Sequence, residues 1–170
     1  MIETWFPHMS NPRMIEELLG CTVDTIIMVL TSALISFLFG LIVGVVLTIT
    51  RSDGLHPNKL IFNILDKTIN ILRSIPFLIL IMILIPATRL IMGTSIGVNG
   101  AIFPLVIGTI PFYARQIESV LSEVDHGLIE ASEAMGCTTV EIIIHVMLHE
   151  SIPSIVRVSM ITIVNLIGLT

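Results

Sequence analysis

Long uncharged runs alternate along this chain with short polar stretches. From Thr25 to Thr50 about 26 successive positions carry no charge. That is enough helix to cross a ~30 Å hydrocarbon layer at 1.5 Å per residue. Asp24 precedes the run, and Gly40 and Gly44 within it form a Gly-x-x-x-Gly pair that lets another helix approach closely. Upstream, Met14, Ile15, Leu18 and Leu19 recur at helical spacing beside Glu16 and Glu17, which predicts a short helix lying on a surface. Trp5 and Phe6 suit a membrane interface.

Arg51 to Lys59 reads as a turn, marked by Ser52-Asp53-Gly54 and His56-Pro57-Asn58. Ser74 to Thr88 is uncharged for only about 15 residues, short of the ~20 a span needs. The second span is therefore expected to start earlier and take in Ile64, Leu65, Ile69 and Ile71, bringing Asp66, Lys67 and Arg73 near one membrane face. Pro76 is expected to kink it and Pro86 to close it. Arg89 to Asn99 reads as a loop. A third span runs from about Gly100 to Tyr113 and continues as a wetter helix through Arg115, Glu118 and Ser122, with Pro104 and Pro111 inside it.

A polar segment follows. Asp125 is placed to cap a helix running to Met135, and Gly136 to end it in a left-handed turn. Thr138-x-x-Glu141 is a capping-box pattern that opens a second helix, extending to Glu150. Ser151 to Thr170 is apolar again except for Arg157 and predicts a fourth span.

Composition agrees with this layout. Of 170 residues, 54% are hydrophobic and only 12% charged, against roughly 25% charged in soluble domains. The net charge of -5 is dispersed, with no basic stripe of the kind that binds nucleic acid. No basic n-region precedes the first apolar run and no small-residue cleavage site follows it, so that run is expected to stay as an anchor. Arg51, Lys59, Lys67, Arg73, Arg115 and Arg157 fall on one side, and Arg13 and Arg89 on the other. This asymmetry predicts a cytoplasmic polar helix pair and an external amino terminus. Cys21 and Cys137 then lie on opposite sides of the bilayer and are expected to be free thiols. The fold class predicted is all-α: one polytopic transmembrane bundle over residues 1–170, with about four spans and a cytoplasmic helix pair between the third and fourth.

Two helices joined by a tight turn transmit force if they are stiff and held at both ends. Leu128, Ala131 and Met135 share a face, and the small Ala131, Ser132 and Ala134 let a partner surface come close. Glu130 and Glu133 can pair with basic groups. The alternative is a surface helix lying on lipid headgroups. Glu141, His145 and His149 form a stripe followed by Glu150, but the order His-x-x-x-His-Glu is not the zinc pattern His-Glu-x-x-His, and a polar helix face accounts for it. Arg73 and Asp66 are open to two readings: they line a path, or they sit near an interface to which Arg73 snorkels. The only lysines, Lys59 and Lys67, lie in no Gly-x-x-x-x-Gly-Lys-Ser/Thr loop, so the chain has no phosphate-binding loop of its own. A secondary transporter or channel is the alternative function; it predicts internal repeats and charges near the midplane, whereas the charges here cluster at span ends. An intramembrane enzyme using the histidines is a third reading.

Glu130-Ala131-Ser132 followed by Gly136 resembles the Glu-Ala-Ala-x-x-x-Gly signature of permease subunits of ATP-binding-cassette importers. Val146 matches the aliphatic residue about ten positions after that glycine, and Leu148 the leucine beyond it. His149 stands where that family has proline, a role Pro153 is expected to share. Arg73-Ser74-Ile75-Pro76-Phe77 is similar to the Arg-Ser/Gly-x-Pro element of amino-acid importers. The stretch Arg73 to Gly97 and the run Pro111-Phe112-Tyr113-Ala114-Arg115 resemble methionine importer permeases, and the likeness extends over Asp24 to Thr170. The resemblance implies a multi-pass subunit of the bacterial cytoplasmic (inner) membrane carrying methionine, D or L, or a similar amino acid. It implies a second permease copy in a homodimer, an external solute-binding protein and a separate ATPase, with no cofactor, metal or catalytic residue in this chain. The ATPase-coupling residues would be Glu130, Ala131, Ser132, Ala134, Met135, Gly136, Val146 and Leu148, and Arg73, Pro76 and Pro111 are candidates for the path or its gating. The family carries a further span and a Gly-rich stretch after Thr170, so the chain is expected to be incomplete at its carboxyl end and not to transport alone.

Overall fold

The computed structural model describes residues 12–170; the expectations for Trp5 and Phe6 lie outside them. The described residues are helical throughout, with no strand among them. The first helix, α1, runs unbroken over Pro12–Thr50. The predicted surface helix is therefore no separate element: no Gly or Pro stands between Met14 and Gly20 to stop the backbone, and Gly20 alone does not break it.

Helix α2 covers Lys59–Ser74 and α3 covers Phe77–Met92. Asn58 starts α2 by accepting the Leu60 and Ile61 N–H groups at its Oδ1, at 3.1 and 3.2 Å. Pro76 does more than kink a span. Its ring drives Ile75 into extended backbone at φ -82, ψ 123, and α2 and α3 meet at 109°. Pro86 closes nothing; it is carried inside α3, which stops at Gly93 in a left-handed turn with φ 74. The loop expected over Arg89 to Asn99 is correspondingly shorter, because α4 already begins at Gly97 and runs to Leu121. Pro104 and Pro111 both lie buried in α4 without ending it.

After α4 come α5, His126–Ala134, and a short arm, Thr139–Leu148. The arm opens as one α-turn, Thr139–Glu141, and widens to π-helix over Ile142–Leu148. Bonding from i to i+5 brings Ile142 and Met147 to one face, and both are buried; in an α-helix they would stand ~140° apart. Helix α7, Ile152–Ile167, leaves the arm at a 70° bend; the arm is α6. Pro153 sits in the first turn of α7, where a missing N–H removes no helical bond. Two helices, α1 and α4, are each long and apolar enough to cross a membrane, and the two bent pairs make four candidates if each is one span.

The core is the crossing of α1 and α4. Ser32, Ser36, Gly40, Gly44 and Thr48 recur every fourth residue along α1 and are all buried. Such a row is inclined to the helix axis and forms a shallow groove. Tyr113, Ala114 and Ile117 of α4 fill it: a Cβ on Gly40 would lie 2.8 Å from Tyr113 Cδ1, and one on Gly44 2.7 Å from Ile117 Cβ. Phe37 packs on Tyr113 with ring centroids 4.6 Å apart. Two side-chain bonds then bind α7 to α4: Tyr113 Oη shares one with Ser159 Oγ at 2.9 Å, and Gln116 Nε2 donates to Thr162 Oγ1 at 3.1 Å. Leucines 30, 34 and 38 of α1 and 78 of α3 point outward, as lipid-facing positions would.

Candidate functional site

The polar helix pair sits at the end of the bundle where α1 and α4 finish and α2 begins. Arg51, Lys59 and Arg115 gather there, the side that the count of basic residues assigns to the cytoplasm. Asp125 caps α5 by accepting the Gly127 N–H at 2.8 Å. Gly136 ends it with φ 83, and the Cys137 N–H reaches back to the Ser132 carbonyl at 3.1 Å. The capping box forms as expected. Glu141 Oε2 accepts from the Thr138 N–H and hydroxyl, both at 2.7 Å, and Thr138 Oγ1 accepts the Glu141 N–H at 3.4 Å.

The Thr138 N–H, and then its hydroxyl, hold the Glu141 carboxyl below the usual carboxylate range. A depressed acid stabilises the fold above its unfolded value, ~4.3 for Glu, and that contribution is lost as pH falls through the lower folded value. The amide protection factors of Thr138 to Ile142 are therefore expected to fall on acidification below ~pH 4.3, relative to those of the rest of α5 and α6. Glu141→Gln should abolish that pH dependence. Protection factors that stay constant with pH in both proteins would remove the ionised cap.

The eight predicted coupling residues do not form one surface. Glu130, Ala131, Ala134, Met135 and Gly136 face outward, and Met135 is 76% exposed. Ser132 faces inward, only 6% exposed, with its hydroxyl donating to the Leu128 carbonyl at 2.7 Å. It therefore offers no small outer face to a partner, contrary to expectation. Val146 and Leu148 are half-buried against the cluster of Tyr113, Ile117, Leu121, Ile142 and Met147. They fasten the pair to the bundle.

Part of this seat was not read from the sequence. The Arg51–Asn58 turn folds back under the pair: His56 Nε2 and Thr139 Oγ1 share a hydrogen bond at 2.9 Å, and a recess of about 230 Å³ separates Asp53 and Leu55 from Ile129 and Glu133. Gly54 is obligatory, since a Cβ there would lie 2.6 Å from the Ile49 carbonyl oxygen. Beside the seat, Arg115 bonds to Asp66 and Asn70 of α2 and, at 2.8 Å, to Glu118. Arg51 Nη1 approaches Glu118 at 4.0 Å. The turn residues and charges were visible in the chain, but nothing local signalled these pairings.

Of the path candidates, Pro76 forms the α2–α3 break and Pro111 is buried in α4. Arg73 does not join Asp66 beside Arg115. It lines a separate cleft of about 430 Å³ with Thr109, Phe112 and Asn165.

Two unbroken apolar helices, two bent pairs and a capped polar helix pair at one end define a polytopic helical membrane protein with a rigid element standing off its apolar belt. The chain belongs to the family described as "Binding-protein-dependent transport system inner membrane component", whose profile matches residues 36–170. It is thus an inner-membrane component of a transport system. It is 45% identical over 145 residues to the D-methionine transport system permease protein MetI of Yersinia pestis, covering 85% of this chain and 67% of that one. Against the methionine import system permease protein MetP of Bacillus subtilis the identity is 42% over 170 residues, covering 100% and 75%. The MetNI methionine ABC transporter, solved in an inward-facing conformation, superposes with TM-score 0.91 at 42% identity, over 94% of this chain and 74% of that one. An amino acid ABC transporter crystallised with histidines shares the fold, with TM-score 0.60 at 20% identity.

Proposed function

We propose that this chain is the permease subunit of a methionine ABC importer, one of two copies around a solute path, driven by a separate ATPase that grips α5. The observation that carries this reading is the likeness to methionine permeases over nearly the whole chain, at 42–45% identity. A partner is supported by chemistry: neither Lys59 nor Lys67 lies in a phosphate-binding loop, which fits an energy source on another chain. The stand-off pair supplies the connection. Glu130, Ala131, Ala134 and Met135 present a small-sided, acidic and apolar outer face, while Ile129, Val146 and Leu148 hold the pair's inner face to α4. A push on α5 then reaches α1 and α4 through packed side chains.

The test is uptake by proteoliposomes holding the full-length permease with its ATPase and external binding protein. Methionine uptake should require ATP and the binding protein. Uptake that persists without ATP would restore the secondary-transporter reading. In the same system Gly136→Val should weaken retention of the ATPase. A Cβ there meets nothing within 4 Å, so the cost is purely that of a β-branched residue at φ 83, about 1–2 kcal/mol. That corresponds to roughly tenfold weaker capture. Unchanged capture would count against α5 as the docking element.

A further inference from the structure

Three carboxylates stand where α4, α5 and the α6–α7 bend meet, and no basic residue answers them. Glu123, Asp125 and Glu150 rim an open notch of about 300 Å³, and all three are exposed. The ion pairs among the described residues use other acids, namely Asp53, Asp66 and Glu118. Asp125 accepts the Gly127 N–H at Oδ1, which leaves Oδ2 open. Like charges gathered on one concave wall repel each other and draw cations to it.

The floor of the notch is made by Val120, Val124 and Ser151, all buried. Ser151 is only 4% exposed, and its hydroxyl oxygen has no hydrogen-bond partner among the described residues. It does not cap a helix either, since no side-chain bond closes the amino end of α7. A buried polar group left unpaired is costly, so one that persists in a fold marks a missing partner.

The chemistry of these groups selects the ligand. Ionised carboxylates only accept hydrogen bonds, and a hydroxyl can accept them too. A ligand that meets all of them must donate, and a positive one also relieves the repulsion. A bare metal ion does not suit the spacing: among the described residues no three His, Cys, Asp or Glu side chains are gathered closely enough to hold one. A guanidinium does suit it, because its five N–H donors on a rigid planar fork serve several separated acceptors at once. Leu128, 45% exposed, joins the notch to the outer face of α5. The recess beside Glu133 lies on a different flank of that helix.

We infer that the notch is a socket for an arginine side chain of the partner ATPase, entering beside the grip on α5. The guanidinium pairs with Glu123 and Glu150 and donates to Ser151 Oγ on the floor, while Val120 and Val124 pack against its stem. The inference rests on the proposed ATPase contact and adds an anchor beyond the outer face of α5.

The measurement is the affinity of the purified ATPase for the full-length permease in nanodiscs, repeated at rising salt. Glu123→Gln combined with Glu150→Gln should weaken it roughly tenfold, the low end for a close charge pair across an interface. The same pair of changes should flatten its salt dependence. Ser151→Ala should weaken it about threefold, while the melting temperature of the permease alone holds or rises, because an unpaired hydroxyl leaves the floor. A photo-crosslinker at Glu123 should attach to the ATPase. A doubly substituted permease that keeps the wild-type affinity and salt slope would overturn the socket. So would a matching drop in its melting temperature, which marks a structural role, or a crosslink made only to a second permease copy. If the wild-type permease captures no ATPase, the α5 reading fails and the socket falls with it. Capture weakened by Gly136→Val but untouched by the two acid substitutions overturns the socket alone.

Discussion

Gly44→Leu is expected to prevent α1 from seating on α4 and to cut the yield of folded, monodisperse permease at least tenfold. A Cβ at Gly44 would stand 2.7 Å from Ile117 Cβ and Cγ2 and 2.8 Å from the Ala114 carbonyl oxygen. Two of these obstacles are a main-chain atom and a β-carbon, which cannot swing aside. The helices must therefore separate, and every contact along the seam from Ser32 to Thr48 loosens with them. Overpacking costs about 1–3 kcal/mol in ordinary cores. A close crossing of small residues should sit at or above that range, because in a bilayer van der Waals packing replaces the hydrophobic drive between helices. Gly40→Ala should be milder, since the nearest atom, Tyr113 Cδ1 at 2.8 Å, belongs to a ring that can tilt. Size-exclusion profiles and thermal melts of the two variants in detergent make the comparison. A Gly44→Leu protein that elutes and melts like wild type would show that close approach does not hold this crossing.

Arg115→Ala should destabilise the bundle by about 2–4 kcal/mol, below the ~3–5 kcal/mol lost when a fully buried pair is broken. The discount follows from exposure: the Arg115 side chain is 23% exposed, Asp66 28% and Glu118 10%. Removing the guanidinium strands two carboxylates at the join of α2 and α4, of which Glu118 keeps only Arg51 at 4.0 Å. Most of the cost is therefore the stranded charge, and Glu118→Gln added to Arg115→Ala should recover part of the lost melting temperature. Strict additivity of the two changes in a double-mutant cycle would show that the residues are not coupled. Arg115→Lys should fall between, because an ammonium cannot serve Asp66, Asn70 and Glu118 from one planar fork.

Much of the site was legible because its signals are short-range. Asp125, Gly136 and the Thr138–Glu141 box act on backbone groups two to five residues away, and each appears where the sequence puts it. The apolar runs likewise mark α1, α4 and α7, since hydropathy is a property of each segment alone. Reading failed where a local rule had two outcomes. A proline can bend a helix, break it or be absorbed, and here Pro76 breaks, while Pro86, Pro104 and Pro111 are absorbed. A spanning helix tolerates proline where the freed carbonyl finds another donor, and the proline itself does not reveal whether it will. The π-helical arm was equally hidden, because it exists to bring Ile142 and Met147 onto a core that α4 provides.

The sequence by itself determined a membrane-embedded helical chain, its stiff polar elbow and the residues at which that elbow starts and stops. Capping, hydropathy and left-handed glycine are settled within one or two turns. Tertiary structure alone decided which face of the elbow is free, that Ser132 turns inward, that Arg73 lines a cleft apart from Asp66, and that Asp66 meets Arg115 across 49 positions and His56 meets Thr139 across 83. Those pairings depend on the angle at which whole helices cross, and that angle is set by the small-residue seam of α1 against α4.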